Sequence, residues 1–396
     1  MSIKYECKVI DNRLIYQYGS KDLIAFKQLA SKIRHSANIE LPSRNSIISN
    51  IANCMSNGFM LNGLPIMSSP EVKIIRGDIQ HFFPSVNDHK LLKMVKNSIF
   101  LSHSESELLK SILSDPNVKG LPQGNPLSSV LSEIYLSTFD KKIKIQLSPL
   151  YYARFVDDFI IIIPSDGSNN NDYKSFLEEE LERLGLSLSK SKYMISEFSQ
   201  ESSFSIDFLG YHFESKKQES ESKKQESESK KQESQILSIK ISSSKIKKII
   251  SKINHIFKIF SNSPQKNRDF LCLYYRIEFI LKGVKTVDYR GAYKLRGIPY
   301  TYNHVNDFQN LKSIQSRIMT LSRINKLSKK QHRALYRLSF SYGDKNKSAF
   351  YPRDYTNYAS MSNQKFNSIY TSLNLKNMKT KKRRVAEFSV LINNLR

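Results

Sequence analysis

In the stretch "YYARFVDDFIIII" (residues 151–163), Asp157 and Asp158 stand side by side immediately before an unbroken Phe-Ile run. Adjacent carboxylates beside an apolar strand repel each other and lose hydration, so they call for a compensating cation. The segment predicts a hairpin with both aspartates at its turn. Alone it is weak evidence for a metal site, because exposed turns also carry Asp-Asp.

A second carboxylate strengthens the case. "VKIIRGDIQHFF", from Val72, reads as another apolar strand, interrupted by Asp78. If the two strands are neighbours, Asp78 and Asp157 can share two divalent ions, an arrangement that activates an attacking oxygen and stabilises a leaving one in phosphoryl transfer.

Helices are predicted around these strands. Pro84, Ser85 and Asn87 mark the start of one, and a short one lies near residues 105–113. The loop "VKGLPQGNP", punctuated by Gly120, Pro122, Gly124 and Pro126, opens a third with Leu127, Val130, Leu131, Ile134 and Phe139 on one face. A fourth covers residues 173–184. Residues 1–70 yield only two apolar helical patterns, at 23–33 and 47–55.

Charge divides the chain. The formal net charge is +26, and residues 235–396 hold 33 basic against 7 acidic side chains, so the surplus lies there. Such a surface suggests a polyanion, most often nucleic acid, held through its phosphates. A Lys-rich solubility surface is the alternative. Three scattered cysteines (Cys7, Cys54, Cys272) give neither a disulfide framework nor a zinc pattern and suggest a reducing, cytoplasmic setting. No apolar run is long enough to cross a bilayer, so no membrane partner is expected.

Residues 214–234 are three copies of ESKKQES with no apolar residue, which cannot form a coiled-coil seam and reads as a solvated hairpin tip between "FSIDFLGYHF" and "QILSIKIS". Beyond it, Ser243 or Ser244 can cap a helix with an Ile/Phe stripe and with Lys245, Lys248, Lys252 and Lys258 on its outer faces. The remainder reads as helical and polar, with Lys381, Lys382, Arg383 and Arg384 leading into a last helix.

"RGDIQHFFPSV", "GLPQGNPLSSVLSEIYLSTFD", "YYARFVDDFIII", "LGLSLSKSKYMIS" and "DFLGYHF" occur in this order and resemble motifs A to E of the reverse transcriptase palm, over residues 72–213. The resemblance implies an α+β right-hand polymerase fold: fingers in 1–70, a palm with an antiparallel sheet in 71–213, the repeat insertion in 214–234, and a helical thumb with a basic all-α C-terminal region in 235–396. It implies RNA-directed DNA synthesis with two Mg2+ ions, Mn2+ being a substitute, held by Asp78, Ile79, Asp157 and Asp158.

By the same resemblance, Phe83 packs against C2′ of the incoming sugar and favours deoxynucleotides. Gln123 and Gly124 meet the nucleotide, Lys192 acts as general acid toward pyrophosphate with Lys190 as a nearby competitor, and Arg44 meets the triphosphate. Leu209, Gly210 and Tyr211 form the primer grip. Lys245, Lys248, Lys252, Lys381, Lys382, Arg383 and Arg384 bind nucleic acid.

Phe155 replaces the usual motif C tyrosine, and the basic finger motifs are not legible. Nuclease, protease and RNase H-like patterns are missing after residue 235, as are the retron valine-threonine-glycine and asparagine-alanine signatures. The chain is therefore most similar to bacterial defence-associated and abortive-infection reverse transcriptases. The implied partners are a noncoding RNA template, the DNA product and dNTPs. A homo-oligomer and a second polymerase or effector subunit stay open, as do template-independent or protein-primed synthesis, a retron enzyme and an inactive RNA-binding scaffold.

Overall fold

The structure, a computed structural model, describes residues 4–10, 13–57, 59–61, 64–67, 71–165, 170–199, 204–216, 236–264, 266–288, 291–340, 356–375 and 380–394. It divides into two compact units, Met1–Phe204 and Ser205–Arg396.

The first unit begins with a hairpin, β1 (Tyr5–Ile10) and β2 (Arg13–Tyr18), that the sequence reading did not anticipate. Helices α1 (Ser20–Ser36) and α2 (Arg44–Asn57) follow and contain the two apolar patterns expected there. After a short hairpin of β3 (Phe59–Leu61) and β4 (Leu64–Met67) come β5 (Val72–Asp78), α3 (Phe82–Ser85), α4 (Asp88–Ser98), α5 (His103–Leu113), α6 (Pro126–Gln146), β6 (Tyr151–Phe155), β7 (Asp158–Pro164), α7 (Asn170–Glu182) and β8 (Met194–Phe198).

Local chemistry sets these boundaries. The Asn87 side chain accepts from the Lys90 amide to cap α4. Ser102 and Glu105 form a capping box at α5, and Asn125 with Pro126 opens α6.

A four-stranded antiparallel sheet, in the order β6-β7-β5-β8, organises the unit. Phe159, Ile161 and Ile163 on one side of β7 join a core with Phe26 and Ile33 of α1, Leu127 and Phe139 of α6 and Leu177 of α7. Ile160 and Ile162, pointing the other way, are fully buried as well. The run "FIIII" is therefore continuous because both faces of the strand are covered, where a half-exposed strand would alternate.

The second unit opens with a three-stranded sheet: β9 (Ser205–Phe208), β10 (Tyr211–Lys216) and β11 (Ile236–Ile241), with β10 central. Next are α8 (Ser243–Ser261), α9 (Asn267–Leu281), β12 (Val284–Val287), β13 (Tyr293–Arg296), α10 (Ile298–Thr301), α11 (Lys312–Ile324), α12 (Lys329–Phe340), β14 (Thr356–Asn357), α13 (Asn363–Ser372) and α14 (Lys381–Asn393).

Two expectations need correction. The C-terminal region is not all-α, since β13, β12 and β14 form a sheet whose Val284 and Val287 share a core with Phe279, Tyr358, Phe366 and Phe388. Strands of two to four residues are too short to show a period-2 pattern, so this sheet could not be read from hydrophobicity. The N-cap position of α8 is Ser242, one residue earlier than expected, and its hydroxyl makes no capping bond.

The repeat also begins inside the sheet. Glu214, Ser215 and Lys216 pair with Ser238, Leu237 and Ile236, and Glu214 accepts from Lys240 at 2.6 Å. The rest, residues 217–234, lies outside the described residues. Deleting residues 214–234 removes this strand pairing and is expected to lower the thermal midpoint by several degrees or more in melts followed by circular dichroism, an unchanged midpoint showing that the pairing contributes little.

Candidate active site

The sheet register creates the site. In the β5–β7 ladder Asp78 lies directly opposite Asp158, and the Ile79 amide donates to the Asp157 carbonyl at 3.1 Å. The Ser189 amide donates to the Asp78 carbonyl at 2.8 Å, and the Gln80 amide to that of Ser187 at 2.8 Å. Motifs A, C and D are thus stitched together by backbone hydrogen bonds around the carboxylates. Between β6 and β7 the turn consists of Val156 and Asp157, with Phe155 paired to Asp158. Asp157 therefore occupies the turn while Asp158 already begins β7.

Val156 has φ = 61°, a left-handed conformation costing on the order of 1–3 kcal/mol for a β-branched residue. Buried Arg154 holds this turn in place: its Nη1 donates to the Val156 carbonyl at 2.9 Å. The same guanidinium bonds Asp140 through Nε at 2.9 Å and Nη2 at 2.8 Å, and Glu133 at 2.6 Å, both acids lying on α6. Burial opposes the charge, but Asp140 and Glu133 outweigh it and hold the Arg154 pKa above its ordinary value. Breaking a buried pair of this kind costs about 3–5 kcal/mol. Glycine at position 77 is equally constrained, because a Cβ there would lie 2.1 Å from the Phe159 ring across the ladder.

Asp78, Asp157 and Asp158 each offer an oxygen within 4.8 Å of the others. Burial first, and then the Asp78 charge, raises the Asp157 pKa. Burial, Asp78 and Asp157 push Asp158 up to about 6. Asp158 Oδ1 is buried without a hydrogen-bond partner, the Arg76 guanidinium standing 4.0 Å away, while Lys192 Nζ lies 2.5 Å from Asp78 Oδ2. Three converging hard oxygen donors, one of them orphaned, fit a divalent cation of the Mg2+ or Mn2+ class.

A cleft of about 490 Å³ opens over the carboxylates. Asp78, Ile79, Phe83, Gln123, Asp157 and Lys192 line it, so the structure brings together predicted residues drawn from motifs A to D. Lys190 and Arg44 are not among its lining; Arg44 begins α2. The cleft's other cations are Arg13 from β2 and Lys119 from the loop before α6, which the sequence reading missed. A signal for Arg13 existed in Asp11-Asn12, a turn-prone pair between two β-prone runs. The motif B loop is fixed by close approaches: a Cβ on Gly120 (φ = 64°) would meet the Phe83 carbonyl at 2.2 Å, and the Gln123 carbonyl accepts from the Tyr16 amide at 2.8 Å. Gly124 (φ = 97°) approaches the Tyr16 carbonyl with no room for a Cβ.

The remaining predicted residues belong to the second unit. Leu209 (φ = 46°) and Gly210 (φ = 82°) form the two-residue turn between β9 and β10, both half-buried. Tyr211 is fully buried, edge to face with Tyr302 at 5.4 Å, so its side chain anchors the hairpin rather than presenting a contact surface. Lys248 and Lys252 are exposed on α8 and Lys245 is half-buried. Lys381, Lys382, Arg383 and Arg384 form the first turn of α14, capped by Thr380.

Three carboxylates converge beside a cation-lined cleft that two of them line, an arrangement suited to phosphoryl transfer. Residues 54–213 match the family described as reverse transcriptase (RNA-dependent DNA polymerase), so this segment is similar to a reverse transcriptase domain. Among solved structures, apo telomerase from Candida tropicalis, truncated from its C-terminal domain, is similar at 17% identity and a TM-score of 0.34, covering 49% of this chain and 43% of that one. No curated protein matches the chain. Among the described residues no helix is long and apolar enough to cross a membrane.

The raised Asp158 pKa has a consequence for stability. Below about pH 4 the carboxyl is protonated in both folded and unfolded chains. Between about pH 4 and 6 the unfolded chain releases its proton while the folded chain retains it, so stability falls as pH rises and stays lowered above about 6. Asp158→Asn, measured by chemical denaturation in EDTA, is expected to exceed wild type by about 2–3 kcal/mol near neutral pH and to converge on it near pH 4. A pH-independent difference would refute carboxylate repulsion as the cause.

Proposed function

We propose that the protein is an RNA-directed DNA polymerase of right-hand architecture that extends a 3′-hydroxyl with deoxynucleotides. The observation that carries this reading is the convergence of Asp78, Asp157 and Asp158, the first two lining the cleft, within the segment that matches the reverse transcriptase family. Two divalent ions bound by these carboxylates, with Ile79 beside Asp78, would lower the pKa of the attacking hydroxyl and neutralise charge on the leaving pyrophosphate.

The chain's own residues supply the rest. Asp78 and Asp157 hold the cation-binding oxygens in fixed register, and Asp158 adds charge that favours cation over proton. Arg13 and Lys119 would offer positive charge to the triphosphate from the cleft wall. Lys192, whose Nζ lies 2.5 Å from Asp78 Oδ2, would donate a proton to pyrophosphate. The Phe83 ring lines the cleft and would exclude a 2′-hydroxyl, and Gln123 with Gly124 would border the sugar.

Leu209 and Gly210 would border the primer, and the basic second unit would hold a dedicated noncoding RNA template by its phosphates. A role in bacterial antiphage defence rests on family analogy. Sequencing the RNA and DNA that co-purify with the protein tests the template assignment.

Asp157→Asn is expected to reduce Mg2+-dependent incorporation of labelled dNTPs by about a thousandfold or more. Retained activity would overturn the site. Phe83→Ala is expected to raise ribonucleotide relative to deoxynucleotide incorporation by at least about tenfold in single-turnover primer extension; an unchanged ratio removes Phe83 from sugar selection.

A further inference from the structure

The second unit contains a groove of about 360 Å³ walled by α8, α9, β13, α10 and the end of α14. Ile249, Ile256, Phe279, Leu295 and Ile298 give it an apolar wall, and three cations, Lys252, Arg276 and Arg296, converge on it. None of its lining residues is acidic.

The cations are under-compensated. Arg276 donates to the Asn394 carbonyl at 3.0 Å and Arg296 to the Asn393 side chain at 3.1 Å, so among the described residues the acceptors of the two guanidinium groups are neutral groups at the end of α14. The Nε of each is buried without a hydrogen-bond partner. Partial burial holds both guanidinium groups below their ordinary pKa. Guanidinium keeps its charge near neutral pH, so an anion entering the groove would be favourably met. The C-terminal carbonyls of α14 contribute only about half a negative charge.

We infer that this groove is a phosphate-binding site, separate from the carboxylate cleft, that takes the phosphate ester of a nucleotide unit. Two guanidinium forks and an ammonium match a tetrahedral oxyanion, and the apolar wall suits the adjoining sugar and base. A sulfonate or carboxylate metabolite would meet the cations but make less use of a groove this large with so apolar a wall. Tyr302, which lines the groove, also packs edge to face on Tyr211 of the β9–β10 hairpin, so an occupied groove would brace that hairpin from behind. The inference does not depend on the polymerase reading.

The test uses the full chain in EDTA, which removes cation-dependent binding at the carboxylates. Two probes separate the sources of phosphate: inorganic tripolyphosphate, read by thermal shift, and a short 5′-labelled single-stranded oligoribonucleotide, read by anisotropy. Stabilisation by tripolyphosphate that is lost in the variants supports a free phosphate ligand, and binding of the oligoribonucleotide alone supports one unit of a strand. Arg276→Gln combined with Arg296→Gln is expected to weaken binding by at least about tenfold. Because these arginines also hold the end of α14, Lys252→Glu, exposed on α8, is the decisive second variant and is expected to give a comparable loss. Lys258→Glu, on the same helix but outside the groove, is expected to cost less than about threefold. Equal losses for Lys252→Glu and Lys258→Glu, or no binding of either probe, would overturn the inference.

Discussion

Mutual repulsion among three carboxylates, imposed by strand register, is the constraint around which the first unit is built. Asp78 and Asp158 are directly opposed in an antiparallel ladder, a pairing that is unfavourable for like charges. What keeps them there is apolar burial further along the same strands, where both faces of β7 are covered, together with a β8 that pairs on the far side of β5. Slipping the register by one residue would separate the aspartates but exchange the two buried faces of β7, putting Phe159, Ile161 and Ile163 where Ile160 and Ile162 pack. The core therefore enforces a charge arrangement that a bound cation would relieve.

The same logic explains Arg154. The turn that carries Asp157 contains a left-handed valine, and a turn of this cost persists only where its surroundings over-determine it. A single guanidinium ties that turn to Asp140 and Glu133 of α6, the helix that follows the motif B loop. Gly120 and Gly124 then bring that loop onto Phe83 and β2 at distances no side chain permits. Position, rather than unusual chemistry in any one residue, makes the cleft.

Much of the site was legible because its parts are local: an aspartate near the end of an apolar run, a paired aspartate at a turn, a Gly/Pro-punctuated loop before a helix. Lys192 was ambiguous with Lys190 until the backbone turn at Ser189 placed one of them against Asp78. Arg13 and Lys119 could not be placed beside the carboxylates from the sequence, because proximity between distant parts of the chain leaves no periodic trace. The β13-β12-β14 sheet escaped for a different reason, its strands being shorter than any pattern can resolve.

By itself the sequence determined which residues carry charge and which strands are buried, since both follow from composition and period within a few turns of chain. It also set the segregation of charge, with the entire positive surplus beyond residue 234. Only the tertiary structure decided which carboxylates meet, which cations face them, and that three basic residues from α8, α9 and β13 surround one groove. Those outcomes depend on long-range packing, where the free energy of burying apolar faces fixes the distances between polar groups that have no sequence relation to one another.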